Sequence, residues 1–241
     1  MQKLINSTCA MILSFVVVSV AHAADAGGVG FSRNRLIFPS SERAISLTVS
    51  NHGKDTQKDL FLVQASVGKD PTQKEKAPFV VTPPLFRLDA DSENEMRIMP
   101  TGSALPKDRE SVFYFAATVI PSTQVNGKEG LSQVTFATRT ILKLFWRPME
   151  IGMTQKASVE LIKFINKDGV VVISNPTPYY QSFAYLSIDG HEYDINHIDA
   201  MVAPFGELRI AHKGNANQVT WQVMNDYGGT TAKKTQPVVL R

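Results

Sequence analysis

The sequence predicts an all-β protein made of two sandwich domains, and three observations carry that prediction. Short apolar runs recur along the chain with turn residues between them. No segment shows a sustained helical period. One proline, Pro148, closes the longest apolar run and separates a first set of seven runs from a second set.

Ahead of these runs the N-terminus reads as a secretory signal. Lys3 supplies a positive n-region, residues 11–20 an apolar core, and Ala21-His22-Ala23 an A-x-A site that places cleavage after Ala23. The apolar core is too short to span a membrane. Residues 1–23 are therefore expected to be removed, leaving an exported chain with no membrane insertion. The single cysteine, Cys9, lies in the removed part, so no disulfide is expected although the compartment would permit one. The fold then rests on core burial, which two domains spanning residues 24–148 and 149–241 are large enough to supply. Charge is near balance, with 25 Lys and Arg against 22 Asp and Glu. No basic block exceeds two residues, which argues against nucleic acid or an anionic membrane surface as a partner.

In chain order, residues 31–38, 44–51, 60–67, 79–88, 96–100 and 111–120 read as strands, with Pro, Gly, Asn and Asp clusters between them. With the run at 131–148 they make seven, the number and spacing of an immunoglobulin-like sandwich. Residues 149–153 read as a linker. A second strand-rich set follows at 157–165, 169–174, 181–188, 197–202, 207–211 and 218–224, punctuated by Pro176, Pro178 and Pro204.

The run at 131–148, LSQVTFATRTILKLFWRP, is long for a strand, which usually has about five or six residues. Val134, Phe136 and Thr138 fall on one face, and Thr135, Ala137 and Arg139 on the other. Lys143 then sits inside a dense apolar run. A core strand does not usually carry that lysine, and a surface strand does not carry that much apolar area. The combination fits either a long central strand whose lysine snorkels to water or an edge strand offered to a partner, with the lysine awaiting an anion.

Other patterns carry less. The acidic turn at 89–95 lacks the Gly and Glu that a calcium loop needs at its sixth and twelfth positions. His52, His191, His197 and His212 have no ligand spacing, so no metal is expected. There is no G-x-S-x-G, no P-loop and no mature cysteine nucleophile, so neither catalytic residues nor a cofactor are expected.

Several strings nevertheless match one family in order: TPP at 82–84 with Arg87-Leu88, LPKDRESVFYF at 105–115, KLFWRP at 143–148, NPTPYY at 175–180, MVAP at 201–204 and NDYGG at 225–229. Together they resemble the periplasmic chaperones of the chaperone–usher pilus pathway, over nearly the whole mature chain. The resemblance implies two immunoglobulin-like domains in a boomerang arrangement with a cleft between them, and a periplasmic location. It implies a chaperone that binds, folds and caps pilus subunits by donor-strand complementation and delivers them to an outer-membrane usher. By the same resemblance Val134, Phe136 and Thr138 are the side chains donated to the subunit's hydrophobic groove. Arg35 and Lys143 hold its C-terminal carboxylate, and Glu110, Arg147 and Asp226 form a charge network between the domains. Thr138 departs from the family, which usually has a large aliphatic there, and so does Ala65-Ser66, where relatives commonly carry a tryptophan. The moderate connection at 121–130 and the absence of cysteine resemble the short-loop branch. Free members of the family can self-associate, as an uncovered apolar edge invites. The alternative, an exported structural or adhesive pilus component, is disfavoured because such subunits usually have one truncated domain and a cysteine pair.

Overall fold

The computed structural model describes residues 28–56, 59–102, 104–122 and 135–240, and their regular structure is almost all strand. The first domain contains β1 (Val29–Phe31), β2 (Arg35–Pro39), β3 (Ile45–Asn51), β4 (Phe61–Gly68), β5 (Phe79–Thr82), β6 (Leu85–Leu88), β7 (Ser92–Pro100), β8 (Ser111–Pro121) and β9 (Thr138–Arg147). They form two facing sheets, ordered β1-β3-β7-β5 and β2-β9-β8-β4-β6. Period-two alternation decides which side chains go inward: Leu47 and Val49 on β3, Met96 and Ile98 on β7, Phe113 and Phe115 on β8. Phe38 stacks on Trp146 with ring centroids 5.2 Å apart, and Phe79 packs against both.

Two of the expected strands are each divided between the sheets. The run at 31–38 ends its first pairing at Phe31, on β3, and resumes at Arg35 on β9. Between them the Ser32 N–H donates to the Thr48 carbonyl, and the Ser32 hydroxyl accepts from the Thr48 N–H. The run at 79–88 divides at Pro83-Pro84, where two residues without an N–H cannot continue a ladder. The long run at 131–148 forms a ladder only over Thr138–Arg147; residues 131–134 lie outside the described residues.

The second domain contains α1 (Gln155–Val159), β10 (Lys163–Lys167), β11 (Val170–Ser174), β12 (Gln181–Ile188), β13 (His191–Glu192), β14 (Met201–Val202), β15 (Glu207–Ala211), β16 (Gln218–Val223), β17 (Lys234–Pro237) and β18 (Val239–Leu240). Its sheets are β15-β11-β10-β18 and β13-β12-β16-β17, with β14 added to β12. Trp221, Phe164 and Phe183 fill the core between them. The expected strand at 157–165 is instead one helical turn followed by β10. Thr154 starts the turn by accepting the Ala157 N–H at 3.2 Å, and Val159 buries its inner end. Of the expected strand at 197–202, only Met201 and Val202 pair. Asp194 draws the preceding residues into a turn by accepting the N–H of Asn196 and the ring nitrogen of His197.

The end of β9 reaches the second domain. Arg147 donates from Nε to Glu110 at 2.8 Å, and from both terminal nitrogens to the two carboxylate oxygens of Asp226 at 2.7 Å. The other Glu110 oxygen accepts the Tyr180 N–H at 2.9 Å, so a side chain only 1% exposed has both oxygens bonded. Burial pushes the Glu110 carboxyl up, against the charge of Arg147 and the Tyr180 N–H. Burial also pulls the Arg147 guanidinium down. The hydrogen bond to Asp226 and the charge of Glu110 outweigh that and hold it above its ordinary value. Asp226 sits in a turn closed by Asn225, whose side-chain oxygen accepts from Tyr227 and Gly229. In the same turn Gly228 has φ +81°, and its carbonyl accepts from Asn34 across the domain boundary.

Two outcomes follow for stability. Arg147→Ala leaves Glu110 buried and uncompensated, and chemical denaturation should show a loss of about 3–5 kcal/mol. The loss should be much smaller when Glu110→Gln is added. Gly228→Ala forces an L-residue into the left-handed region and places its Cβ 1.6 Å from the Asn34 side-chain oxygen, so the Asn34 amide must swing away and its nitrogen must give up the bond to the Gly228 carbonyl. A loss of about 1–3 kcal/mol is expected by the same measurement.

Candidate functional site

The parallel register of β2 on β9 sets Arg35 directly opposite Lys143. Paired residues of a parallel ladder share a face, so both side chains point away from the first core, whereas Leu36 and Leu144 point into it. Phe145, two residues beyond Lys143, lies on the same outward face. It is fully buried because Arg35 and Tyr180 cover it: the guanidinium carbon stands 3.9 Å above its ring, and the Tyr180 ring lies at 5.6 Å. From the second domain, the Ser182 hydroxyl accepts from Arg35 Nη1 at 3.1 Å.

This pair of cations is electrostatically incomplete. Arg35 is only 4% exposed, and its Nε has no hydrogen-bond partner. Burial lowers its proton affinity, and the charges of Glu110 and Asp226 only partly oppose this. Burial and the neighbouring Arg35 hold the Lys143 ammonium below its ordinary value, with Asp199 opposing. Neither cation has a carboxylate within ion-pair distance among the described residues. An anion entering here would oppose both shifts, and a carboxylate suits a planar fork beside a point charge.

Beside the cations lies an open strand edge. β8 pairs with β9 from Thr138 to Trp146, but β2 covers the other side only from Lys143 onward. Thr138–Leu142 therefore has no strand on that side among the described residues. Residues 136, 138, 142 and 144 share one face by the period of two. Leu142 and Leu144 are core, yet Phe136 is 79% exposed and Thr138 is exposed. Ile141, on the other face, is also exposed.

Of the residues singled out in the sequence, the structure brings together Arg35 with Lys143, and Glu110 with Arg147 and Asp226. Phe136 and Thr138 stand on the approach to the open edge, and Val134 lies outside the described residues. Sequence reasoning did not find Phe145, Ser182 or Asn34. Phe145 had a usable signal, since it follows Lys143 by two. Ser182 and Asn34 had none, because each acts on a residue more than 140 positions away. Among the described residues no three His, Cys, Asp or Glu side chains are arranged to hold a metal ion, and no helix is long and apolar enough to cross a membrane.

Comparison with known proteins accounts for both domains. Residues 28–152 match the family described as pili and flagellar-assembly chaperone, PapD N-terminal domain, and residues 157–235 match pili assembly chaperone PapD, C-terminal domain. The chain is 36% identical over 227 residues to the probable fimbrial chaperone protein ElfD of Escherichia coli K12, covering 93% of this chain and 92% of that one. It is 31% identical over 238 residues to the chaperone protein FimC of the same organism, covering 97% and 94%. Among solved structures it superimposes with a TM-score of 0.76 on a chain of the Salmonella enterica SafA pilin–SafB chaperone complex. That match has 26% identity and covers 88% of this chain and 96% of the other. The reading as a structural or adhesive pilus component is not favoured, since the matching relatives are named as chaperones. With both domains matched in order, the chain belongs to the PapD family of pilus-assembly chaperones and works in the chaperone–usher pathway.

Proposed function

We propose that this chaperone binds pilus subunits by lending them a strand, caps them while they fold, and passes them to an outer-membrane usher. It does so in the periplasm, after removal of residues 1–23, and needs neither cofactor nor metal. The observation that carries the reading is the meeting point of the open edge with the two cations. A subunit strand added along Thr138–Leu142 lies end to end with β2 and must stop where β2 begins, at Lys143. Its terminal carboxylate then falls between Arg35 and Lys143. Since the strand ends at Lys143 and its body lies toward Thr138, it runs parallel to β9.

The anchor decides the register of the added strand. A slip by one residue would turn the donated side chains to the wrong face, so fixing the carboxylate fixes what enters the subunit's groove. Val134, Phe136 and Thr138 are the donated side chains in this reading. An exposed phenylalanine gains about 1.5–3 kcal/mol on full burial, and each charge-assisted bond to the carboxylate contributes about 1.5–3 kcal/mol. Glu110, Arg147 and Asp226 hold the second domain where Tyr180 and Ser182 complete the cleft. Without a subunit the same edge invites self-association.

Periplasmic co-expression with pilus subunits tests the reading. Wild type should co-purify with a subunit, and Arg35→Ala and Lys143→Ala should each reduce capture about ten- to a hundredfold. Full capture by both variants would sink the anchor. Phe136→Asp should also abolish capture, while leaving the melting temperature of the free protein unchanged, because the ring is already in solvent.

A further inference from the structure

We infer that Ser182 is the positioning residue of the anchor: it sets the aim of the Arg35 guanidinium, so the second domain takes part in carboxylate binding without touching the carboxylate. This rests on the reading of Arg35 as an anchor and adds a residue and a mechanism to it.

A guanidinium stacked on an aromatic ring has its plane defined but can still turn within that plane. Phe145 supplies the stack, at 3.9 Å. The hydrogen bond from Nη1 to the Ser182 hydroxyl, at 3.1 Å, removes the remaining freedom. Ser182 is itself held firmly. It is 4% exposed, its Cα pairs with Met201 of β14, and its carbonyl accepts the Met224 N–H at 2.8 Å. Two-point binding of a carboxylate needs both donors of the fork aimed together, so a turned guanidinium keeps its charge but loses the second bond. Lys143, a point charge with rotatable donors, has no such requirement. The same contact ties the anchor to the domain junction, because β12 carries Ser182 and is entered from Tyr180, whose N–H is held by Glu110.

The test uses the full mature chain and two synthetic peptides of one alternating apolar sequence, one with a free C-terminal carboxylate and one with a C-terminal amide. Strand pairing is common to both, so the ratio of their dissociation constants reads the anchor alone. Wild type should prefer the carboxylate by about a hundredfold, which is two charge-assisted bonds at the lower end of their range. Ser182→Ala should lower that preference about five- to tenfold, with binding of the amide unchanged. Ser182→Thr and Ser182→Val, alike in shape but differing in the hydroxyl, separate aiming from packing: threonine should restore the preference and valine should not. In an Arg35→Ala background all three substitutions should be silent. If valine matches threonine, or if Ser182→Ala still lowers the preference when Arg35 is absent, the positioning role is wrong while the anchor stands. If wild type shows no preference and Arg35→Ala changes nothing, the anchor fails and this inference with it.

Discussion

The parallel pairing of β2 with the second half of β9 is the constraint on which the site depends. β2 is five residues long and β9 is ten, so one strand cannot cover the other. The covered half holds Leu144 in the core and carries Arg147 to the domain boundary. The uncovered half is left as an edge, and Arg35 and Lys143 mark where one regime becomes the other. A β2 extended toward its N-terminus would close the edge. It would also bury the unpaired side of Thr138–Leu142 beside the cations. Ser32–Asn34, which carries the chain from one sheet to the other, prevents that extension.

Two cationic sites on the same outward face of β9 show opposite electrostatic states. Arg147 has two carboxylates and a two-point geometry with one of them, and its charged form is held more firmly than in water. Arg35, buried, and Lys143, half-buried, lie side by side, Arg35 against an aromatic ring and a hydroxyl, and both charged forms are disfavoured. Burying unpaired charge costs free energy, and the fold bears that cost at Arg35, whose Nε has no partner.

The open edge is also a liability, since unpaired strand edges with apolar neighbours template aggregation. Arg139 and Thr140 break the apolar run on that edge, and the ladder begins only at Thr138, which keeps the open segment short. The ring of Phe136, ahead of that ladder, stays in solvent.

The all-β class, the division into two domains and most strand positions were legible in the sequence, because alternation and turn chemistry are local. β12 and β15 fall on the residues read from pattern alone. Lys143 stood out because a lysine inside an apolar run contradicts its surroundings, which is itself a local property. Which strands share a sheet was not local. The crossings at Ser32–Asn34 and at Pro83-Pro84 depend on which edge has free hydrogen-bonding groups, and that exists only after both sheets form. One helical turn at Gln155–Val159 is too short to show a period, and the short strands β17 and β18 too weakly patterned. The grip of Ser182 on Arg35, and of Asn34 on the Gly228 carbonyl, was decided by tertiary structure alone, since hydrogen bonds between residues so far apart in the chain leave no mark on either neighbourhood.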